Sequence, residues 1–285
     1  MRLAFFLLGK LPLRWLHVLG SRLGWLLYWA SPSVRRDLVC NANLAGLTSG
    51  QVSDAIANAG RMVAELPWVW SAGPERLRQA IAWDGLELIE TALARGKGVI
   101  YLTPHIGCFE ALPAAHALWL APRFGPITVL YRPSRSKALD ALAKAARAIP
   151  GVQIAPTSTA GVRSMLRALK QGAAVGLLPD QVPEEGLGVW APFFGRSAYT
   201  MTLVGSLARH TGAPVLLVCS ERMPHGHGFR VHVRSVQLAL HESDEVLAAS
   251  MNRQLEAQAQ SHPDRTHPPP PAPAAGSRAR RPASR

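Results

Sequence analysis

The sequence predicts an α/β fold: a mostly parallel sheet flanked by helices, with a membrane-associating helix at its N-terminus. Three observations carry this reading. Short apolar runs such as GVIYL, PITVLY and AAVGLL alternate with helical segments of roughly 10–14 residues, the signature of βαβ units. Helical runs close on glycine, as at Gly96 and Gly172. Finally, His105, Arg132 and Asp180 each fall just past a predicted strand, at the sheet end where such folds collect ligands.

The elements follow in order. Residues 1–30 hold no acid but Arg2, Lys10, Arg14 and Arg22, and they present Leu, Phe and Trp on a broad face opposite Lys10, Arg14 and His17. A spanning helix needs ~20 uninterrupted apolar residues, and the basic positions break this run. SPSVRRD is a poor cleavage site for a signal peptide. The expectation is therefore an uncleaved amphipathic or shallow anchor at residues 1–30, lying against anionic headgroups, with Trp15, Trp25 and Trp29 at the interface. A core helix of a soluble fold and a single span are the alternatives.

Residues 51–80 read as an alanine-rich helix ending in AELPWVW and a Gly73-Pro74 turn. The main domain, residues 31–260, then alternates. LELIETALARG (helix) leads into GVIYLTP (strand), FEALPAAHALWLA (helix) into PITVLYRP (strand), and SKALDALAKAARAI (helix) into GVQIAP (strand). AGVRSMLRALKQG (helix), AAVGLLPD (strand) and TMTLVGSLARHTG (helix) follow, then the strands APVLLVCS and GFRVHVRS. Residues 261–285, rich in Pro, Ala and Arg, read as a disordered basic tail.

Charge narrows the partners. The net charge is +13, and the five arginines and one aspartate after Ser261 leave about +9 on the rest. Such an excess points to anionic lipid, nucleic acid or an acidic carrier protein. The three cysteines, Cys40, Cys108 and Cys219, are odd in number and widely spaced, which argues against a disulfide framework or a zinc site.

The chemistry concentrates in TPHIGCFEAL, residues 103–112. With a helix starting near Gly107, Glu110 lies in its first turn and can turn back toward the His105 ring. A carboxylate on one ring nitrogen fixes the tautomer and makes the other nitrogen a better base for a hydroxyl proton. Gly107 would let backbone approach a substrate closely, and amides at the helix start could face a developing oxyanion. A capping histidine beside a solvated glutamate fits the spacing equally well. Other chemistries are poorly served. GRSAY lacks the second glycine of a nucleophile elbow and follows no predicted strand. GLGVWA runs into Pro192 where a dinucleotide-binding helix should begin. HGHG, residues 225–228, reads as a turn between strands rather than a metal site.

PHIGCFE resembles the HxxxxE/D signature of the late, or secondary, lipid A biosynthesis acyltransferases, within the lysophospholipid acyltransferase group. AELPWVW, VLYRPSRSKALD, GLLPDQ, VWAPFFGRSAYT and LARHTGAPVLLVCSER are similar in order, so the resemblance covers roughly residues 1–260. It implies a glycerolipid acyltransferase-like α/β fold, anchored at the cytoplasmic face of the bacterial inner membrane. It also implies transfer of a lauroyl- or myristoyl-type chain from acyl carrier protein to a hydroxyl of a phosphorylated glucosamine lipid. No cofactor is implied beyond that donor, and no specific nucleic acid. By resemblance His105 is the general base and Glu110 its charge partner. Arg132 in YRP contacts phosphate or the acyl carbonyl, or is a surface arginine. Asp180 in LLPDQ holds Arg132 or positions substrate, or caps a turn. Phe193 and Phe194 in PFFG line an acyl groove, or pack in the core. Cys108 stands where many relatives carry asparagine. Past HPD the chain departs from the family's aromatic and basic continuation, which reads as a shifted or truncated frame. Acylation of another membrane glycolipid or lysophospholipid, and a catalytically silent membrane- or nucleic-acid-binding role, are the alternative functions.

Overall fold

The computed structural model describes residues 2–131, 137–147 and 149–261. The chain opens with α1 (Arg2–Lys10), α2 (Leu13–Ala30), α3 (Pro32–Leu44) and α4 (Ser49–Ser71). After α5 (Pro74–Ala80) come β1 (Ile81–Asp84), α6 (Leu86–Ala94) and β2 (Val99–Leu102). Next are α7 (Ala111–Trp119), α8 (Ala121–Phe124), β3 (Ile127–Tyr131), α9 (Lys137–Arg147) and β4 (Val152–Pro156). Then α10 (Thr159–Lys170), β5 (Ala174–Leu177), the hairpin β6 (Gly188–Phe193) and β7 (Arg196–Met201), and α11 (Leu203–Thr211). The last elements are β8 (Val215–Arg222), β9 (Phe229–Ser235) and α12 (Asp244–Ser261).

The central sheet has the order β1-β9-β8-β2-β5-β3-β4. β4, β3, β5, β2 and β8 are parallel, as expected of strands that are apolar on both faces. The turn around HGHG reverses the chain, so β9 runs antiparallel to β8 and carries β1 with it. Alternation along each strand feeds two cores. Val99, Tyr101, Val129 and Ala174 face α7 with Phe229 and Val231, while Ile100, Leu102, Val175 and Leu177 face α10 and α11. The helix expected from Thr200 begins only at Leu203, because residues 196–201 pair with β6. GRSAY therefore does follow a strand, but it leads into a second strand and not into the helix a nucleophile elbow requires.

The N-terminal segment is two helices rather than one. Pro12 separates them, and Arg76 donates to the carbonyls of Gly9 (2.7 Å) and Leu11 (2.9 Å), satisfying acceptors that α1 leaves open. α2 packs on α4 through a seam of glycines. A Cβ on Gly60 would lie 1.9 Å from the Gly20 carbonyl oxygen, and one on Gly24 would lie 2.2 Å from that of Ile56. Only glycine permits this approach. The opposite face leaves Phe6, Leu7, Trp15, Leu19, Leu26 and Trp29 exposed, Trp29 at 66% and Leu26 at 63%. No helix among the described residues is long and apolar enough to cross a membrane. The tail beyond Ser261 lies outside the described residues.

Candidate active site

The site is built where β2 and β5 end side by side. Register pairs Tyr101 with Gly176 and Leu102 with Leu177, so the segments leaving both strands emerge together at the sheet's carboxyl edge. From β2 the chain runs through Thr103 and Pro104 to His105, and from β5 through Leu178 and Pro179 to Asp180. The Asp180 carboxylate takes two hydrogen bonds from one residue: Oδ2 from the His105 backbone N–H and Oδ1 from ring Nδ1, both at 2.8 Å. A carboxylate can only accept, so Nδ1 carries the proton and the Nε2 lone pair is left as the base. The Gln181 amide lies 3.1 Å from that Nε2 and donates to it. Phe109 sets its ring across the imidazole at 4.7 Å between centroids, closing one side.

This geometry corrects the assignment of partners. Glu110 does not take the imidazole. It sits at the N-cap of α7, where its carboxylate accepts from Trp70 Nε1 (3.1 Å) and forms an ion pair with Arg147. Arg147 is itself sandwiched against Trp70 and Tyr131, 5.5 Å and 5.2 Å from their ring centroids. His105, Glu110, Arg147 and Gln181 all line one cavity of about 770 Å³, whose remaining walls are mostly apolar: Tyr101, Leu112, Ile127, Val129 and Leu203 among them. Its mouth lies over the carboxyl ends of β2, β3 and β5, where the parallel sheet was expected to hold a ligand.

Gly107 and the two phenylalanines sit elsewhere. The close approach of Gly107 is to β8: a Cβ there would lie 1.8 Å from the Ser220 carbonyl oxygen, and its φ is +66°. The Cys108 amide donates to that same oxygen at 2.9 Å, so the amides of Cys108 and His105 are committed to the fold rather than open to an oxyanion. Phe193 and Phe194 line a separate small cavity of about 50 Å³ behind Asp180, not the large one. Arg132 lies outside the described residues.

A buried ion pair holds the histidine loop from below. Arg222 donates through Nε to Glu65 Oε1 (2.7 Å) and through its terminal nitrogen to the Gly107 carbonyl (3.0 Å). His17 of α2 does not join Lys10 and Arg14 on an outer face. It turns inward, with Nε2 2.6 Å from the same Glu65 oxygen. Burial alone would raise the Glu65 carboxyl, but the Arg222 charge, the adjacent His17 imidazole and the hydrogen bond from Arg222 hold it below its ordinary value. Burial, reinforced by the Glu65 charge, drives the Cys108 thiol well above its usual range, so it remains a packed thiol and not a nucleophile. Glu65 and Arg222 belong to AELPWVW and LLVCSER, strings recognisable as landmarks but silent about each other. Arg147 carried no sequence signal beyond one basic residue of an amphipathic helix, and Gln181 only its place in the GLLPDQ landmark.

Described so far, the site is an imidazole base held by a carboxylate at the mouth of a deep apolar cavity. Comparison with known families matches residues 2–267 to the family described as bacterial lipid A biosynthesis acyltransferase. Among individual proteins, the chain is 24% identical over 215 residues to lipid A biosynthesis acyltransferase 2 of Shigella flexneri, covering 75% of this chain and 67% of that one. It is 24% identical over 265 residues to the lipid A biosynthesis palmitoleoyltransferase of Escherichia coli K12, covering 90% and 83%. Against the lipid A biosynthesis myristoyltransferase of the same strain it is 24% identical over 206 residues, covering 72% of this chain and 62% of the relative.

Proposed function

The chain belongs to the bacterial lipid A biosynthesis acyltransferase family, and from that premise we propose that it transfers a fatty acyl chain from a thioester donor, acyl carrier protein, to a hydroxyl of a phosphorylated glucosamine lipid. The observation that carries the reading is the imidazole of His105, fixed through Nδ1 by Asp180 with Nε2 facing a cavity large and apolar enough for an acyl chain. The acceptor hydroxyl displaces the Gln181 amide from Nε2 and gives up its proton there. The resulting oxygen attacks the thioester carbonyl, and Asp180 stabilises the imidazolium that forms. The Gln181 amide, released from the ring, is then the nearest side-chain donor for the carbonyl oxygen as it gains charge. Collapse expels the carrier thiolate, which takes the proton back from Nε2.

Arg147, held by Glu110 at the cavity wall, supplies a fixed cation for the anionic part of either substrate. The exposed apolar face of α1 and α2 rests on the cytoplasmic leaflet of the inner membrane, where both acceptor and anionic headgroups are found, and the +9 excess suits those partners and an acidic carrier. The reaction calls on no cofactor beyond the donor. The test is purified protein with labelled acyl-acyl carrier protein and competing acceptors, read by mass spectrometry of the lipids. Transfer to the glucosamine lipid, lost in His105→Ala, is the expected result. Transfer to a lysophospholipid instead would reassign the acceptor, and no transfer to either would remove the enzymatic reading.

A further inference from the structure

Gly176 is the residue to explain. It lies inside the central strand β5, where a glycine weakens a sheet and needs a reason, such as a tight bend or the close approach of backbone or ligand. Its φ is not among the positive ones. Where Gly107 and Gly60 would drive a Cβ into main-chain oxygen, a Cβ on Gly176 would meet only side chains: Val129 Cγ1 at 3.2 Å and Ile127 Cδ1 at 3.5 Å. No backbone requires the glycine, so what it supplies is space.

That space belongs to the large cavity. Register sets Gly176 between Tyr101 on β2 and Val129 on β3, and all three line the cavity. In the row one step deeper, Val99, Ala174 and Ile127, only Ile127 reaches it, so the Gly176 row lies at its floor. The floor is rigid on one side. Tyr101 donates to Nδ1 of the buried His116 at 2.8 Å, and His116 Nε2–H donates to the Gly125 carbonyl at 3.1 Å, so the tyrosine ring cannot swing into the dent beside it. Tyr101 stands four residues before His105 and its neighbour Gly176 four before Asp180, so the floor is about 13 Å of extended chain below the site.

We propose that Gly176 sets the length of the acyl chain this protein accepts, the missing side chain giving room to the methyl end of a saturated chain lying against Tyr101 and Val129. The inference rests on the acyl-transfer reading of the cavity. Adding a side chain at Gly176 raises the floor and moves preference toward shorter chains, and trimming Val129 lowers it and moves preference toward longer ones. A methylene that no longer fits costs roughly tenfold or more in kcat/KM.

The experiment compares the wild type with Gly176→Ala, Gly176→Val and Val129→Ala on saturated acyl thioesters of eight to sixteen carbons. In parallel, free fatty acids of the same lengths displace a fluorescent polyene fatty acid, a readout that needs no turnover. The expected result is a preference shifted down in Gly176→Val, by roughly tenfold or more for the longest chain the wild type favours, and shifted up in Val129→Ala. An absence of transfer with the displacement profiles shifted as expected would refute the transferase reading and leave the floor in place. Unchanged length profiles in folded Gly176→Val and Val129→Ala would overturn the inference. If Gly176→Val does not fold, an unchanged profile in Gly176→Ala together with Val129→Ala is sufficient to do so.

Discussion

The two carboxylates near His105 hold different partners, and single substitutions separate them. Asp180→Asn keeps the size of the side chain but lets an amide face Nδ1, which frees the ring to adopt the other tautomer and costs the base. The expected loss is about 10²–10⁴ in kcat with little change in KM. Glu110→Gln weakens the hold on Arg147, so its effect should fall mainly on KM for the anionic substrate, and steady-state kinetics of the two variants side by side checks both. Deep under the cavity, His116 is buried and its pKa is lowered to about 4, against the hydrogen bond to Gly125 that would raise it. Its folded value lies below the unfolded one, so its contribution is fully present above about pH 6.5 and drains away as pH falls toward 4. The loss is on the order of 3 kcal/mol. Urea unfolding at pH 7 and pH 4.5 should show it, and His116→Asn should flatten that pH dependence by close to one proton. Although a capping role fitted its spacing equally well, the histidine itself was legible, just past an apolar run. Its acid was not. The spacing HxxxxE draws the eye to Glu110, but α7 begins one residue later and turns that side chain toward Trp70 and Arg147, whereas Asp180 arrives from a strand 75 positions away. Register between parallel strands leaves no local mark in a sequence.

Burial made some elements easier to read, though β4, mostly half-buried or exposed, was still legible as GVQIAP. β2 and β5, buried at every position, announce themselves as unbroken apolar runs. β1, a short strand at the sheet edge with Asp84 in it, and β6–β7, whose residues are mostly half-buried or exposed, show no such run. The break at Pro12 was in plain view, yet the apolar stretch on either side hid it. Helix-on-helix contact was harder still, because a glycine seam depends on three residues in two elements. Gly60→Ala tests it. The added methyl meets the Gly20 carbonyl and the Gly24 backbone, and the variant should be less stable by about 1–3 kcal/mol in urea unfolding. The ion pair beneath the site predicts a larger effect. Arg222→Met leaves Glu65 buried with only the His17 imidazole beside its charge, at a cost of about 3–5 kcal/mol, and Arg222→Met with Glu65→Gln should recover part of it.

For the molecule as a whole, the distribution of apolar surface makes membrane attachment a testable property. Phe6, Leu7, Trp15, Leu26 and Trp29 share the outer side of two helices whose inner side is fixed to α4. Substituting Trp15, Leu26 and Trp29 by serine should abolish cosedimentation with anionic vesicles while leaving the unfolding midpoint nearly unchanged, since these side chains contribute little to the core. Raising the salt should weaken binding of the unmodified protein, through screening of its basic residues, without eliminating the apolar contribution. One further consequence follows from the pairing of β2 with β5. His105 and Asp180 are synthesised far apart, and the imidazole leaves the ribosome long before its carboxylate partner. A nascent chain that has emerged only as far as β4 carries the imidazole without its carboxylate partner, so a fragment ending before Asp180 is expected to show no transfer.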